Sequence, residues 1–563
     1  MKKDKALLFA ILFLAFALRF TASWFGLPYL YHADEPIIVN HALAYGTGDL
    51  NPHFFKIPPL VSYLLFGVYG LFYLLGHLAG KFSNPQAFEF LFYSDPSSFY
   101  FMARFIFGVL AGTLTVCVFY RLIARHFSAK TAVIAAALMA VNFLHVSHSH
   151  YLYADIPLVL VMTAAFFIFF KLPDKPGGGV YFWSGAMIGL GAAVKYNGVF
   201  LAIPYLFLAM TVPRKQAGGR ILLAGISAAA VFFLLNPFAV LDSHFFLAEL
   251  KKQTLSNSGV PWKHHLHYFI IEGFGKPLLV LASLGMGRLF FAWNFKKGAL
   301  ALFIVSYYGI LIGGSQPYER YLLPLIPFLI FFAADFLSWL SERGRPALIL
   351  SAVFFLSAFA PSVIQSVYFD RLMLASDTRT LAREWVLQNI PPGTALALDQ
   401  DFYMPRLSFS KNTLEEKKKE LPANPDVFSA ARARRLDFLL TQNQDPGYDL
   451  NFFTTELSKA EPSFFAQPLV IYDLDRLRAR SIQYVLIQGG IDRPSGPLSF
   501  YHQLKLGFPK VAEFNPYRNP SYKSPSHDLL DLTTWQLTGG PFKWEELRNR
   551  DRNGPRIEIY KIQ

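Results

Sequence analysis

Eleven stretches of the chain are apolar over lengths near the roughly 20 residues that a helix needs to cross a bilayer. They cover 6–26, 99–121, 131–148, 153–171, 180–195, 198–213, 220–241, 276–293, 298–315, 320–340 and 346–368. Such runs leave few folding options. Inside hydrocarbon each backbone N–H and C=O must be satisfied within its own segment, so each run is expected to be helical. Only 16% of the 563 residues are charged, against 53% hydrophobic and 17% aromatic. That is too little charge to clothe a soluble protein of this length. The expected fold class is a mainly α polytopic membrane protein of about 11 transmembrane helices. The basic start, Met1 to Lys5, runs straight into the first run without an obvious cleavage site, which predicts a retained first helix.

A twelfth apolar run, 58–80, needs a different argument. Lys2, Lys3 and Lys5 place the N-terminus in the cytoplasm by the positive-inside rule. If 58–80 does not cross, the cytoplasmic loops hold Arg121, Arg125 and Lys130; Lys171 and Lys175; Arg214, Lys215 and Arg220; Lys296 and Lys297; and Arg343 and Arg345. All are basic. If it did cross, these loops would all lie outside. The run is therefore expected to be an interfacial or re-entrant helix within an outer loop, 27–98. The formal charge of +14 is read as this topological bias rather than as a nucleic-acid surface. The single cysteine, Cys117, excludes a disulfide within the chain and a cysteine-based metal site.

The composition changes near residue 370. The remainder, 370–563, is rich in charge, Pro, Asn and Asp and contains no run long enough to span. A water-soluble mixed α/β domain is expected there, following a membrane module over 1–369. Residues 378–389 have helical periodicity with Asp377 or Thr378 as cap. Residues 394–398, 484–488 and 556–562 read as strands. The stretch 410–422 reads as a solvated helix face.

On this topology one face of the membrane collects most of the chemistry. The first outer loop carries His32, Asp34 and Glu35, then Asn51, His53 and Lys56. Further turns bring His145, His148, His150 and Asp155; then Lys195, Tyr196 and Asn197; then Tyr318, Glu319, Arg320 and Tyr321. A longer loop near 242–275 holds Asp242, His244, Lys251, Lys252, His264, His265 and His267. Ionisable groups at a membrane edge are costly unless paired, hydrated or functional. Each also has a plainer reading. Asp34 and Glu35 suit a helix N-terminus. The histidines at 145, 148 and 150 fit a hydrated interfacial turn. Lys195 could snorkel to headgroups, and Arg320 could pair with Glu319. No metal-binding signature is present, so no metal residues are assigned; a divalent ion is possible but not indicated.

The order of these pieces resembles the GT-C membrane glycosyltransferases, in the branch of protein O-mannosyltransferases and bacterial lipid A aminoarabinose transferases. The resemblance is carried by Asp34-Glu35 after the first span, Gly48 to Pro59, Asp155, the turn Gly191-Ala192-Ala193-Val194-Lys195-Tyr196-Asn197-Gly198, and Arg320 to Pro327. It extends to Thr378–Gly393 after the last span. It implies transfer of a sugar from a polyprenyl-phosphate donor on the periplasmic or lumenal side, with an inverting course. The aminoarabinose branch often has Lys-Pro-Pro, whereas Ile57 here separates Lys56 from Pro58.

In that setting Asp34 is expected to act as base toward the acceptor hydroxyl. Glu35 would orient the acceptor or hold the site's cations, and Asp155 would position substrate or a cationic group. Lys195 and Arg320 would offset the leaving phosphate. Lys56, His53, His148 and Tyr196 complete the donor and substrate contacts. The acceptor is left open among protein, lipid A, glycan or envelope lipid, and no cofactor is required. The expected place is the inner membrane, with the N-terminus cytoplasmic and the C-terminal domain outside. The alternatives are a polytopic transporter, which would gather its ionisable groups near the midplane, and a non-catalytic envelope-assembly protein.

Overall fold

The computed structural model describes residues 2–255, 273–314, 319–399, 403–421, 427–442, 447–454, 469–489, 496–522 and 544–563. The chain forms two compact units. One comprises Met1–Ser23, Ile37–Phe72 and Phe99–Asp370. The other comprises Trp24–Pro36, Tyr73–Ser98 and Arg371–Gln563.

Every one of the eleven apolar runs contains helix. Among the described residues, six helical stretches are long and apolar enough to cross a membrane: Leu60–Leu78, Ser97–His126, Gly218–Leu235, Phe295–Ile312, Arg320–Leu340 and Arg345–Asn389. Ala129–Val141, Asp155–Phe169, Gly178–Val194 and Tyr196–Ala209 are shorter apolar helices. The run expected to be interfacial is an uninterrupted helix, Leu60–Leu78, long and apolar enough to cross a membrane, though less apolar than four of the other five. Pro58 and Pro59 precede its first turn and leave its hydrogen-bond ladder whole.

In the first unit, small residues let helices approach at backbone distance. A Cβ added at Gly185 or Gly189, in Gly178–Val194, would lie 2.0 Å from the Ala224 carbonyl oxygen or 2.3 Å from that of Ala228. Those oxygens belong to the helix Arg214–Leu235. Gly285 plays the same part against the Phe332 carbonyl, joining Lys276–Gly287 to Ile326–Leu340.

The second unit is built on a six-stranded sheet of β1 (Ala395–Leu398), β2 (Asp449–Thr454), β3 (Leu469–Ile471), β4 (Tyr484–Gln488), β5 (Lys510–Phe514) and β6 (Ile557–Lys561), in the order β3-β2-β1-β4-β6-β5. The first four strands in that order are parallel, and β6 runs antiparallel to both β4 and β5. Side chains alternate between two cores, as strand geometry requires. Leu396 and Leu398 pack with Ala382, Val386 and Ile390 of the helix Thr378–Asn389, while Ala397 faces Leu477, Phe500 and Leu504. Asp377 caps that helix by accepting from the Arg379 N–H. The helix Pro85–Ser94 also belongs here. Its Glu89 receives Arg434 Nε at 2.8 Å, and Phe90 lies 5.1 Å from the Phe438 ring.

Candidate active site

Asp155 opens the helix Asp155–Phe169 and is almost fully buried, with 2% exposure. A carboxylate in a first helical turn faces the positive end of the helix dipole. Lys195 caps the C-terminal end of the next apolar helix, Gly178–Val194, in an extended conformation. The chain then turns at once into a 3-10 segment, Tyr196–Leu201. Gly198 makes that turn possible, because a Cβ there would lie 2.0 Å from the carbonyl carbon of Gly191. The turn aims Lys195 at Asp155, with Nζ donating to Oδ1 at 2.6 Å.

Arg320 arrives from a different element, the 3-10 segment Glu319–Leu325, and brings Nε to 3.9 Å from Asp155 Oδ2. Lys195 and Arg320 are both buried. Tyrosine rings line the cluster. Lys195 Nζ is 4.2 Å from the Tyr321 ring centre and 5.4 Å from that of Tyr153, and the Arg320 guanidinium is 4.7 Å from Tyr153. Two cations thus converge on one carboxylate in a low-dielectric setting walled by aromatic faces, which favour cations. Their formal charges sum to one positive, and such a cluster suits the binding of an anion such as a phosphate.

The neighbouring loop is tied to the same turn. Tyr196 Oη donates to the Phe55 carbonyl at 2.9 Å, and the Phe55 ring packs on Phe245 and Phe246. Asn51 Nδ2 donates to Asp242 at 2.9 Å, and Asp49 pairs with His53 Nε2 at 2.9 Å. The His53 contact, with the Asn51 N–H, holds the Asp49 carboxyl below its ordinary value. His53 and Lys56 are exposed.

The histidines depart from the hydrated turn considered for them. His145 and His150 are fully buried and His148 nearly so. His145 is met by a charge that sequence reading passed over. Arg19, at the end of the first helix, donates to the carbonyls of Ala15, Ala140 and Met139 and meets His145 Nδ1 at 2.9 Å. His150 Nε2 lies 3.1 Å from Asp370. Among the described residues no group of three or more His, Cys, Asp or Glu is arranged to hold a metal ion.

Asp34 and Glu35 belong to the second unit. Asp34 immediately precedes the helix Glu35–Ala44, and its backbone N–H donates to His32 Nδ1 at 3.3 Å. Glu35 and His32 are buried. Of the expected site residues, the structure brings Asp155, Lys195 and Arg320 into one cluster. Tyr196 is adjacent in the chain; Lys56 and His53 are exposed, and His148 is buried. Tyr153 and Arg19 were missed. Tyr153 lies two residues before Asp155 and was detectable as an aromatic beside a membrane-edge carboxylate. His264, His265, His267 and Tyr318 fall outside the described residues, and nothing is described of the Glu319 side chain.

Residues 98–240, which contain Asp155 and Lys195, match the family described as dolichyl-phosphate-mannose-protein mannosyltransferase. The structure is similar to ArnT from Cupriavidus metallidurans in the apo state, with a TM-score of 0.51 at 12% identity over 90% of this chain and 95% of that one. It is also similar to the oligosaccharyltransferase AglB from Archaeoglobus fulgidus in complex with an inhibitory peptide and a dolichol-phosphate. There the TM-score is 0.49 at 13% identity, over 86% of this chain and 69% of that one. The S. cerevisiae protein O-mannosyltransferase Pmt1-Pmt2 complex matches at 22% identity over 49% of this chain and 36% of that one, with a TM-score of 0.30. No curated protein sequence matches at a significant level. The fold is that of the GT-C membrane glycosyltransferases, and the chain is an integral membrane protein. The segment that matches the family model carries one of the two cations of the cluster and the carboxylate that both approach.

Proposed function

We propose that the protein is an inverting glycosyltransferase that moves a sugar from a polyprenyl-phosphate donor to an acceptor hydroxyl at the outer face of the cytoplasmic membrane. One observation carries the reading: Lys195 and Arg320 meet at Asp155 at the start of a membrane helix, within a GT-C fold. The description of the matched family names a dolichyl-phosphate sugar as donor, which supports a lipid-phosphate leaving group. A headgroup-level site suits such a donor, because its phosphate need not enter hydrocarbon.

In the proposed reaction the acceptor hydroxyl oxygen attacks the sugar C1 from the face opposite the phosphate. The C1–O(phosphate) bond breaks with its electron pair leaving on the polyprenyl phosphate, and the hydroxyl proton passes to Asp34. Glu35 orients the acceptor. Asp155 holds Lys195 and Arg320 where charge grows on the phosphate, and preorganised donors of this kind are each worth about 10²–10³-fold in rate. Positive charge develops at C1 meanwhile, as in other glycosyl transfers. Lys56, His53, His148 and Tyr196 make further substrate contacts. No cofactor enters the scheme. The acceptor is a protein, lipid A, glycan or envelope-lipid hydroxyl, and the sugar a hexose or pentose. The N-terminus lies in the cytoplasm, the 370–563 domain faces outside, and the helix at 58–80 lies at the interface.

The test compares envelope lipids, glycans and proteins of a deletion strain with its parent by mass spectrometry. A missing hexose or pentose mass is expected, restored by the wild-type chain but not by a folded Asp34→Asn variant. Full restoration by Asp34→Asn overturns the base assignment, and an unchanged envelope overturns the activity.

A further inference from the structure

The segment that ends at Asp34 is held in an unusual way. Leu30 adopts φ +57, a left-handed conformation that a γ-branched residue rarely occupies. Backbone of that kind persists only where its surroundings over-determine it. On either side of Leu30 stand Tyr29 and Tyr31, with ring centres 6.2 Å apart. Each ring faces an arginine of the helix Thr378–Asn389. The Arg379 guanidinium lies 4.0 Å from the Tyr31 ring centre, and that of Arg383 lies 5.0 Å from Tyr29. Residues four apart share one helix face, so two arginines one turn apart meet two tyrosines two residues apart.

The arginines are themselves fixed. Arg379 is fully buried and grips Asp377 with two parallel bonds, Nε to Oδ1 at 2.9 Å and Nη2 to Oδ2 at 2.8 Å. This fork is rigid in a way that a lysine cannot copy. Arg383 Nε donates to the Arg406 carbonyl at 3.0 Å. Tyr31 adds a second anchor, since its Oη lies 2.8 Å from Thr380 Oγ1. The helix start is pinned to the strand β6 end of the sheet: Thr378 N–H donates to the Asn553 carbonyl and its hydroxyl to that of Pro555. Room for the Tyr31 ring comes from Gly26, where a Cβ would meet Tyr31 Cδ2 at 2.7 Å. From Tyr31 it is three residues to Asp34, whose N–H is held by His32.

We propose that Arg379 and Arg383 are positioning residues, which clamp Tyr31 and Tyr29 and so set the segment carrying Asp34; this rests on the glycosyltransferase reading only for the catalytic consequence. The first helix after the last membrane run is then a structural part of the catalytic apparatus. Misplacing a reacting group by about 1 Å can cost on the order of 10²-fold in rate, so a loosened clamp lowers kcat while the donor, gripped elsewhere, keeps its KM.

The clamp is tested on the full-length protein by hydrogen exchange, which needs no substrate. Tyr31→Leu removes the ring and leaves the Arg379–Asp377 pair intact, so it is the main variant; Arg379→Ala is the second. Exchange across 29–35 is expected to accelerate at least ~10-fold, with protection in β1 and β4 unchanged. Tyr31→Phe, which keeps the ring, restores slow exchange. Unchanged exchange at 29–35 in Tyr31→Leu overturns the clamp. Turnover is read separately with polyprenyl-phosphate mannose and the other polyprenyl-phosphate sugars as probes. A ~10–100-fold fall in kcat at constant KM, rescued by Tyr31→Phe, supports the positioning role. Faster exchange with undiminished turnover leaves the contact standing and overturns the positioning role, whereas loss of the base assignment is read separately from Asp34→Asn.

Discussion

Lys195 Nζ and Asp155 Oδ1 are 2.6 Å apart, with side chains only 11% and 3% exposed. The two residues lie 40 positions apart and come from the adjoining ends of different helices. A charge pair so well shielded cannot lose one member quietly. Lys195→Met leaves Asp155 with one of its two cations, and is expected to lower stability by about 3–5 kcal/mol. Lys195→Met with Asp155→Leu also takes from Arg320 the buried carboxylate it approaches, and is expected to recover neither the stability nor the turnover. Unfolding midpoints in detergent, compared with turnover, check both halves.

The turn that presents Lys195 depends on one missing side chain. Gly198→Ala would force a methyl against the Gly191 backbone. Backbone cannot yield as the end of a flexible side chain can, so a loss of about 1–3 kcal/mol is expected. Turnover should fall further than stability does, because Lys195 and Tyr196 move with the turn. A Gly198→Ala protein with wild-type midpoint and turnover would contradict the close approach.

Arg19 spreads its planar fork over the carbonyls of three residues and the ring of His145. Arg19→Lys keeps the charge but cannot reach the same acceptors. A loss on the order of 2–3 kcal/mol is expected, read as a lower unfolding midpoint. An unchanged midpoint would show that the fork geometry is unimportant.

Lys417, in the helix Lys411–Lys419, has its pKa lowered to about 8, chiefly by burial, with Glu420 opposing and Arg432 reinforcing the shift. Its ammonium lies 4.5 Å from the Phe409 ring centre. The folded state therefore releases this proton before the unfolded state does. Between pH 8 and the ordinary lysine value of 10.5 the unfolded chain binds more protons, so the Lys417 contribution to stability rises with pH across that window and is flat below it. Lys417→Met should remove that part of the slope in a series of midpoints against pH.

The membrane part is largely legible in sequence because hydrocarbon permits so little. An apolar run must be helical, and all eleven contain helix. The run at 58–80 shows where that logic stops: length and apolarity make a helix, while sidedness rests on the charges around it. Asp155, Lys195 and Arg320 stand out in the sequence because ionisable groups at apolar helix ends are expensive. Arg19 is hidden inside an apolar run, and its acceptors are backbone carbonyls, which no side-chain pattern reveals. The setting of His145 falls in the same blind spot, since its partner Arg19 is 126 positions away. In the second unit, 378–389 and three of the strands are legible from periodicity and capping. The recruitment of 24–36 and 73–98 into that unit is not, because it depends on pairs such as Tyr31 with Thr380.

The two excursions also bear on how the molecule matures. Tyr31 and Thr380 are 349 residues apart, and Glu89 and Arg434 are 345 apart. During synthesis the N-terminal halves of these contacts exist long before their partners leave the ribosome. The sheet domain thus reaches completion only after material made near the beginning has been kept available, an ordering that makes its closure a late, non-local event. A fragment starting at Arg371 would be translated without the tyrosine face against which Arg379 is covered, so grafting or expressing that domain alone calls for 24–36 and 73–98 to be supplied with it.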